Sequence, residues 1–225
     1  MLLLSFQCLT AADNLYNFIG NGSLARFVVT ESQLFEQLRC VVGSLLHSCH
    51  TRTMLGSDVR EYGSGNAGAT NMARTFGMAS GLLTLMFDFC KGLIATYIGA
   101  RLLGDTGVLI GGIACLIGHC FPVFYRFKGG KGISVGAALG LAVHWKALAI
   151  ILSVFLIVAL LSKKVSAGSI CAAAALFVSG ILLHVSAPKM AVCVLAPLLV
   201  IWQHRGNIRR LLNGTEPDFK AAKNK

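Results

Sequence analysis

The sequence predicts an all-α protein, a polytopic membrane helix bundle of about seven transmembrane spans, and three observations lead there. Of 225 residues, 55% are hydrophobic and only 13% are charged, with a mean hydropathy of +0.71; a soluble globule of this size needs more polar surface. The apolar residues gather into long runs separated by short polar breaks. The basic residues, which give a formal net charge of +11, sort onto alternate breaks, as the loop charges of a multi-pass protein do.

Taken in order, residues 1–42 form an atypical N-terminal segment, because Asp13, Arg26, Glu31, Glu36 and Arg39 interrupt its apolar sequence and ionisable groups are costly at membrane depth. Residues 1–4 are too short an apolar stretch for a signal peptide. The best candidate for a first span is residues 27–50. Six further spans follow at 76–100, 106–125, 132–145, 146–161, 167–185 and 189–202. Several run to only about 14 to 17 residues where a bilayer helix needs about 20, which predicts short, glycine-packed or partly re-entrant helices. The body of the protein is expected at 43–216, with a basic C-terminal tail at 217–225 that is flexible beyond Gly214.

Charge placement orients the bundle. With one span ahead of Arg52, the loops put Arg52, Arg60 and Arg74, then Arg126, Lys128 and Lys131, then Lys163 and Lys164, then six basic residues of the C-terminal region on one face. The opposite loops carry Arg101, Lys146 and Lys189. The positive-inside bias makes the first face cytoplasmic and places the C-terminus there. Basic charge on so apolar a chain suits anionic headgroups and phosphorylated ligands rather than nucleic acid. The eight cysteines are scattered without CxxC spacing and read as small core hydrophobes. His47, Cys49 and His50 are the only local cluster of metal-ligand residue types; with no matching half elsewhere they predict no metal.

Three polar constellations fall on the basic face. In Gly63 to Arg74, GSGNAGATNMAR, the residues Ser64, Asn66, Thr70 and Asn71 supply short donors and acceptors. Asn66, Thr70 and Arg74 share one face if the segment is helical, and Arg74 presents a fork suited to phosphate. A capped helix start with small packing residues explains the same segment equally well. In Gly118 to Gly132, GHCFPVFYRFKGGKG, the glycines Gly129, Gly130 and Gly132 let the backbone approach an anion closely, and Lys128 and Lys131 add charge, with His119 at the span end. Taken alone, this is a snorkelling basic loop and a structural histidine. It is not a nucleotide P-loop, because Gly132 stands where Ser or Thr would follow the lysine.

In His204 to Glu216, HRGNIRRLLNGTE, the residues His204, Asn207 and Arg210 recur at three-residue spacing and share a helix face. Histidine exchanges protons near neutral pH, and asparagine can orient a hydroxyl or an oxyanion; by itself the segment reads rather as a basic juxtamembrane helix that binds anionic lipids. Asp88 and Lys91, at i and i+3 within a span, neutralise one another. Ser166 and Ser169 stand at another span start, where Ser166 reads as an ordinary N-cap and Ser169 offers a hydroxyl.

Together the three segments resemble the signature motifs of the bacterial acyl-phosphate:glycerol-3-phosphate acyltransferase family, PlsY, over residues 43–216. The resemblance implies a seven-span fold in the bacterial plasma (inner) membrane, with its active site on the cytoplasmic face. The implied reaction moves a fatty acyl group from acyl phosphate to the 1-hydroxyl of sn-glycerol 3-phosphate, giving lysophosphatidic acid and phosphate, with no cofactor and no obligate protein partner. It implies catalytic roles for His204, Asn207, Ser64 and Arg74. Substrate contacts are implied for Asn66, Thr70, Asn71, His119, Lys128, Gly129, Gly130, Lys131, Gly132 and Ser169, with Gly168 in place of a second serine at the phosphate site. Glu216, Asp88 and Lys91 are implied to be structural.

Three departures from the family pattern are visible: the interrupted segment before Gly43, Gln203 in place of a basic residue, and Ser134 with Val135 in place of an Ala-Thr pair. The chemistry agrees with the resemblance, since an acyl phosphate is already activated and the site need only hold two anions together and stabilise charge. The HxxxxD motif of other membrane glycerolipid acyltransferases is absent from the sequence. A small anion or phosphate-ester transporter would also gather Arg, Lys and Gly at a membrane face, but related halves and broken midplane spans are not evident. A non-catalytic lipid-binding membrane protein is the third alternative.

Overall fold

Apolar segments fold as helices because lipid offers the backbone no hydrogen-bond partner, and every regular element among the described residues is helical. A computed structural model of the chain describes residues 59–122 and 127–220. The N-terminal segment, the candidate first span at 27–50 and the His47, Cys49 and His50 cluster lie outside them. A 3-10 turn at Val59–Glu61 is followed by α1 (Ala69–Phe76), α2 (Met78–Cys120), α3 (Ile133–Val143), α4 (Trp145–Ser162), α5 (Val165–Leu182), α6 (Ala187–Gln203) and α7 (Arg205–Leu212).

A straight helix of 43 residues would reach about 65 Å, twice the hydrocarbon thickness of a bilayer. Instead α2 breaks at Leu103 and Gly104, whose φ/ψ of −134°/16° and 59°/−139° are non-helical, and the chain turns back on itself. The two arms touch at Gly99 and Gly107, so close that a Cβ on either would fall about 2 Å from the other's carbonyl oxygen. Small residues allow such approach between helices in lipid. Gly92 against Ala138 and Gly180 against Cys193 repeat the device.

Six of the seven expected spans thus have helical counterparts, with α2 supplying two. By length and composition α2, α4 and α5 qualify to cross a membrane, while α6 passes the same test only when taken together with α7, to which it is bent by 61°. The α3 helix has only 11 residues, as the short run predicts. The core of Leu116, Val135, Leu139, Val192 and Val200 lies between α2, α3 and α6. Outward, Leu156, Leu160, Leu161 and Leu198 are more than half exposed, a surface suited to hydrocarbon rather than water. Cys115, Cys120 and Cys193 are buried as expected, but Cys90 and Cys171 face outward.

Among the described residues, Arg74, Lys131, Lys163 and Lys164 gather at one end, where each bonds to α7 or the segment after it. At the other end Asp105 in the α2 turn pairs with Lys189 at 2.9 Å and accepts from Ser186, and His144 caps α4 by accepting from the Lys146 N–H.

Candidate active site

The residues before α1 form an irregular loop with Gly63 and Gly65 at positive φ. Asn71 holds this loop: its Oδ1 accepts from the Ser64 N–H at 3.0 Å, and its Nδ2 donates to the Val59 and Tyr62 carbonyls. Expected among the substrate contacts, Asn71 is 2% exposed and its amide is committed to the loop. Asn66 lies ahead of α1 rather than on a face shared with Thr70 and Arg74, because its Oδ1 accepts from Gly68 N–H in a local turn. Its Nδ2 donates to the Gly129 carbonyl at 3.1 Å, which ties the first motif to the second. Thr70 and Arg74 are half-buried, and Ser64 is exposed with its hydroxyl on the same loop.

The glycine loop is shaped by what lies beneath it. A Cβ on Gly129 would come within 2.1 Å of the His119 carbonyl, and one on Gly130 within 2.1 Å of His119 Nε2. Gly132 starts α3 at φ 84°, with Leu116 filling the space a side chain would take. His119 is 4% exposed, whereas Lys128 points outward.

Lys131 reaches the third motif. Its ammonium donates to Asn207 Oδ1 at 2.6 Å, and Asn207 Nδ2 donates to Glu216 Oε1 at 2.7 Å. Glu216 is the hub of this region: Ser166 donates to Oε1 at 2.6 Å, Arg210 Nε donates to Oε2 at 2.7 Å, and Lys164 donates to its backbone carbonyl. The segment after Gly214, expected to be flexible, is instead fastened as far as Phe219. Lys164 pairs with Asp218 at 2.9 Å, Phe219 N–H donates to Lys163, and Arg74 donates to the Pro217 carbonyl at 3.5 Å.

Burial acts against the Glu216 carboxylate, but bonds from Ser166, Asn207 and Arg210 outweigh it and hold the group below the usual carboxylate range. Lys131 is pushed down to about 8, mostly by burial; Glu216 opposes the shift, and Arg210 and Arg74 add to it. His204, past the end of α6, is lowered to about 4 by burial. Its Nδ1 lies 2.8 Å from the Val200 carbonyl. A carbonyl only accepts, so Nδ1 carries the proton and Nε2 keeps its lone pair.

Two expectations on α5 change. Ser166 is no N-cap, since Lys164 takes that place and makes no side-chain cap bond; the Ser166 hydroxyl serves Glu216, a use no local pattern reveals. The Ser169 hydroxyl donates to Val165 one turn back and is 2% exposed, so its proton is not offered to a ligand. Gly168 packs on α4, where a Cβ would lie 2.7 Å from the Phe155 carbonyl; it is a helix contact rather than a phosphate contact.

Beside these groups an apolar cavity of about 310 Å³ opens between α2, α3, α4, α5 and α6. Ile133, Ser134 and Val200 line the end nearest the glycine loop, and Leu85, Leu148 and Phe155 lie among its other walls. Val200 joins the two regions, because its carbonyl holds His204 and its side chain faces Gly132. The site therefore combines fixed cations, a glycine turn, a neutral imidazole and an apolar compartment.

Comparison with known proteins gives a consistent result. The family profile for glycerol-3-phosphate acyltransferase matches residues 38–214. A glycerol-3-phosphate acyltransferase of Finegoldia magna is 40% identical over 71% of this chain and 81% of its own. One from Syntrophotalea carbinolica is 44% identical over 76% and 88%. The crystal structure of PlsY (YgiH), an integral membrane glycerol 3-phosphate acyltransferase in its glycerol 3-phosphate form, superposes with a TM-score of 0.79 at 32% identity, covering 85% of this chain and 96% of that one.

Proposed function

The chain belongs to the glycerol-3-phosphate acyltransferase family, and from that premise we propose that it transfers a fatty acyl group from acyl phosphate to the 1-hydroxyl of sn-glycerol 3-phosphate, releasing lysophosphatidic acid and inorganic phosphate. It is an integral membrane acyltransferase of phospholipid synthesis. The observation that carries the choice of donor is the continuous chain from the glycine turn through Lys131 to Asn207 and Glu216, set beside an apolar cavity. One end suits a phosphoryl group and the other an acyl tail.

Two anionic substrates repel one another, and this site has the charge to hold both. Lys131, Arg74 and Arg210 lie close enough for the arginines to depress the lysine, so their combined field favours bound phosphate. The Gly130 N–H is taken by the His119 carbonyl; the other loop amides and Lys128 receive the donor's phosphoryl group, while Ser64, Thr70 and Arg74 receive the acceptor's phosphate. The acyl tail occupies the cavity, whose walls are almost wholly apolar side chains. The acceptor hydroxyl oxygen attacks the acyl carbonyl carbon. The carbon–oxygen bond to phosphate breaks, and phosphate leaves with the electron pair.

The proton has two candidate acceptors, and basicity separates them. His204 Nε2 is unprotonated and able to orient the hydroxyl, but at about 4 it is a weaker base than a phosphate dianion, whose second ionisation is near 6. A substrate phosphate oxygen therefore takes the proton while His204 aligns the hydroxyl. Asn207, fixed by Lys131 and Glu216, stabilises developing charge. An acyl phosphate is a mixed anhydride, so neither a nucleophilic residue nor a cofactor is required.

The sorted basic loops support a cytoplasmic site and C-terminus in the plasma membrane of a bacterium. Nothing in the comparisons supports the transporter alternative. Donor choice is tested by offering palmitoyl phosphate and palmitoyl-CoA separately with glycerol 3-phosphate. Product from the phosphate alone is expected, and product from the thioester alone would overturn the assignment.

A further inference from the structure

Among the described residues that line the apolar cavity, Ser134 alone has a polar side chain. It stands in the first turn of α3 and is half-buried, and its hydroxyl makes no hydrogen bond among the described residues. The buried hydroxyls of Thr84, Thr96, Ser169 and Ser179, by contrast, each donate to a carbonyl three or four residues back. Ser134 has no such acceptor. Gly132, at φ 84°, immediately precedes the first residue of α3, so the carbonyls three and four places before Ser134 belong to the glycine loop and not to a helical turn.

A hydroxyl without a partner in an apolar wall is costly once a tail displaces the water that would satisfy it. Position along the cavity determines which part of the donor meets it. Val200 lines the same end of the cavity, and its carbonyl holds His204. The acyl carbonyl carbon has to meet the acceptor hydroxyl that His204 aligns, so the first carbons of the tail run past Ser134 and the rest lies between apolar walls.

We propose that Ser134 is a specificity-determining residue: it fits the cavity to acyl phosphates that carry a hydroxyl on one of the first carbons beyond the carbonyl, and it forms a hydrogen bond with that hydroxyl. This deepens the acyltransferase function above and rests on it, in particular on the tail occupying the cavity. It holds whichever phosphate the glycine loop receives. Ser134 is also a position at which this chain departs from the family pattern, which suits a role in choosing among donors better than a role in the shared chemistry.

The test uses the full chain purified in detergent, with saturating glycerol 3-phosphate. It compares kcat/KM for palmitoyl phosphate with the values for 2-hydroxypalmitoyl and 3-hydroxypalmitoyl phosphate, each enantiomer separately. Folding is monitored by gel filtration and thermal unfolding. Wild type is expected to use at least one hydroxylated donor as well as palmitoyl phosphate or better. In Ser134→Ala the ratio of that donor to palmitoyl phosphate should fall roughly tenfold. Palmitoyl phosphate itself should be used somewhat better, because alanine strands no hydroxyl. Ser134→Thr keeps the hydroxyl and should stay closer to the wild-type ratio, whereas a merely structural serine would alter all donors alike.

Wild-type protein that uses every hydroxylated donor less well than palmitoyl phosphate would overturn the proposal, and this comparison needs no variant to fold. An equal ratio in wild type and folded Ser134→Ala would overturn it too. Folded wild-type protein that turns over none of these donors would instead remove the acyltransferase function on which the proposal rests.

Discussion

Asn207 donates to Glu216 at 2.7 Å while accepting from Lys131 at 2.6 Å, so one amide keeps a carboxylate and an ammonium in register without letting them neutralise one another directly. Glu216 comes from the segment beyond α7, and its carboxylate also binds Ser166 on α5 and Arg210 on α7. Glu216→Ala strands all three donors and is expected to cost about 3 kcal/mol. It should be seen as a lowered thermal midpoint and reduced folded yield. Glu216→Gln, which keeps the shape and one acceptor, should lose less. Equal midpoints for wild type and Glu216→Ala would show that the hub does not hold the site together.

Lys131 gives a pH dependence with a definite sign. A lysine lowered from 10.5 to about 8 loses its charge as pH rises through 8, so kcat/KM for the acyl donor, which reports the free enzyme, should fall from there upward. Lys131→Arg keeps the charge and should move that limb to higher pH. Stability runs the other way. Between pH 8 and 10.5 the unfolded chain holds a proton on this residue that the folded chain does not, so this group adds stability as pH climbs through that window.

His204 should contribute no ionisation near 6.5. With its value at about 4, the imidazole stays neutral and accepting across pH 5 to 8, and it is charged only below that range. His204→Ala is expected to reduce kcat about 100-fold or more in protein of normal folded yield. A limb near pH 6.5 in the kcat profile that vanished in His204→Gln would contradict the assigned state.

The apolar cavity predicts chain-length control. Ala137 on α3 is among its wall residues, and Ala137→Phe should fill part of the roughly 310 Å³. Each methylene excluded from the cavity forfeits about 0.8 kcal/mol of burial. Preference should shift toward acyl phosphates shorter by a few carbons, measured as the ratio of kcat/KM values for palmitoyl and lauroyl phosphate. An unaltered ratio would place the tail elsewhere.

The helices and the basic end were legible because each rests on a local pattern. Apolar runs, the polar break at 101–105 that becomes the α2 turn, and the three-residue spacing of Asn207 and Arg210 all lie within a few turns of chain. What stayed hidden depends on contacts between distant residues. The Ser166–Glu216 bond joins positions fifty residues apart, so nothing near Ser166 separated it from a cap, and the Ser169 hydroxyl bonds back to the carbonyl one turn earlier, an option open to any helical serine. Asn71 had the composition of a ligand contact, but three loop groups use its amide. The Asp88–Lys91 pair was visible at i and i+3. His119, 28 residues beyond Lys91, became its partner only because α2 reverses at Gly104.

Acceptor-dependent acyl transfer tests the central claim most directly. Purified protein in detergent or lipid is given palmitoyl phosphate with and without glycerol 3-phosphate, and inorganic phosphate and lysophosphatidic acid are quantified together. The site described here predicts the two products in equal amounts, only when acceptor is present, and nearly absent from folded His204→Ala protein. Folded wild-type protein that releases no acceptor-dependent phosphate and forms no lysophosphatidic acid would contradict it.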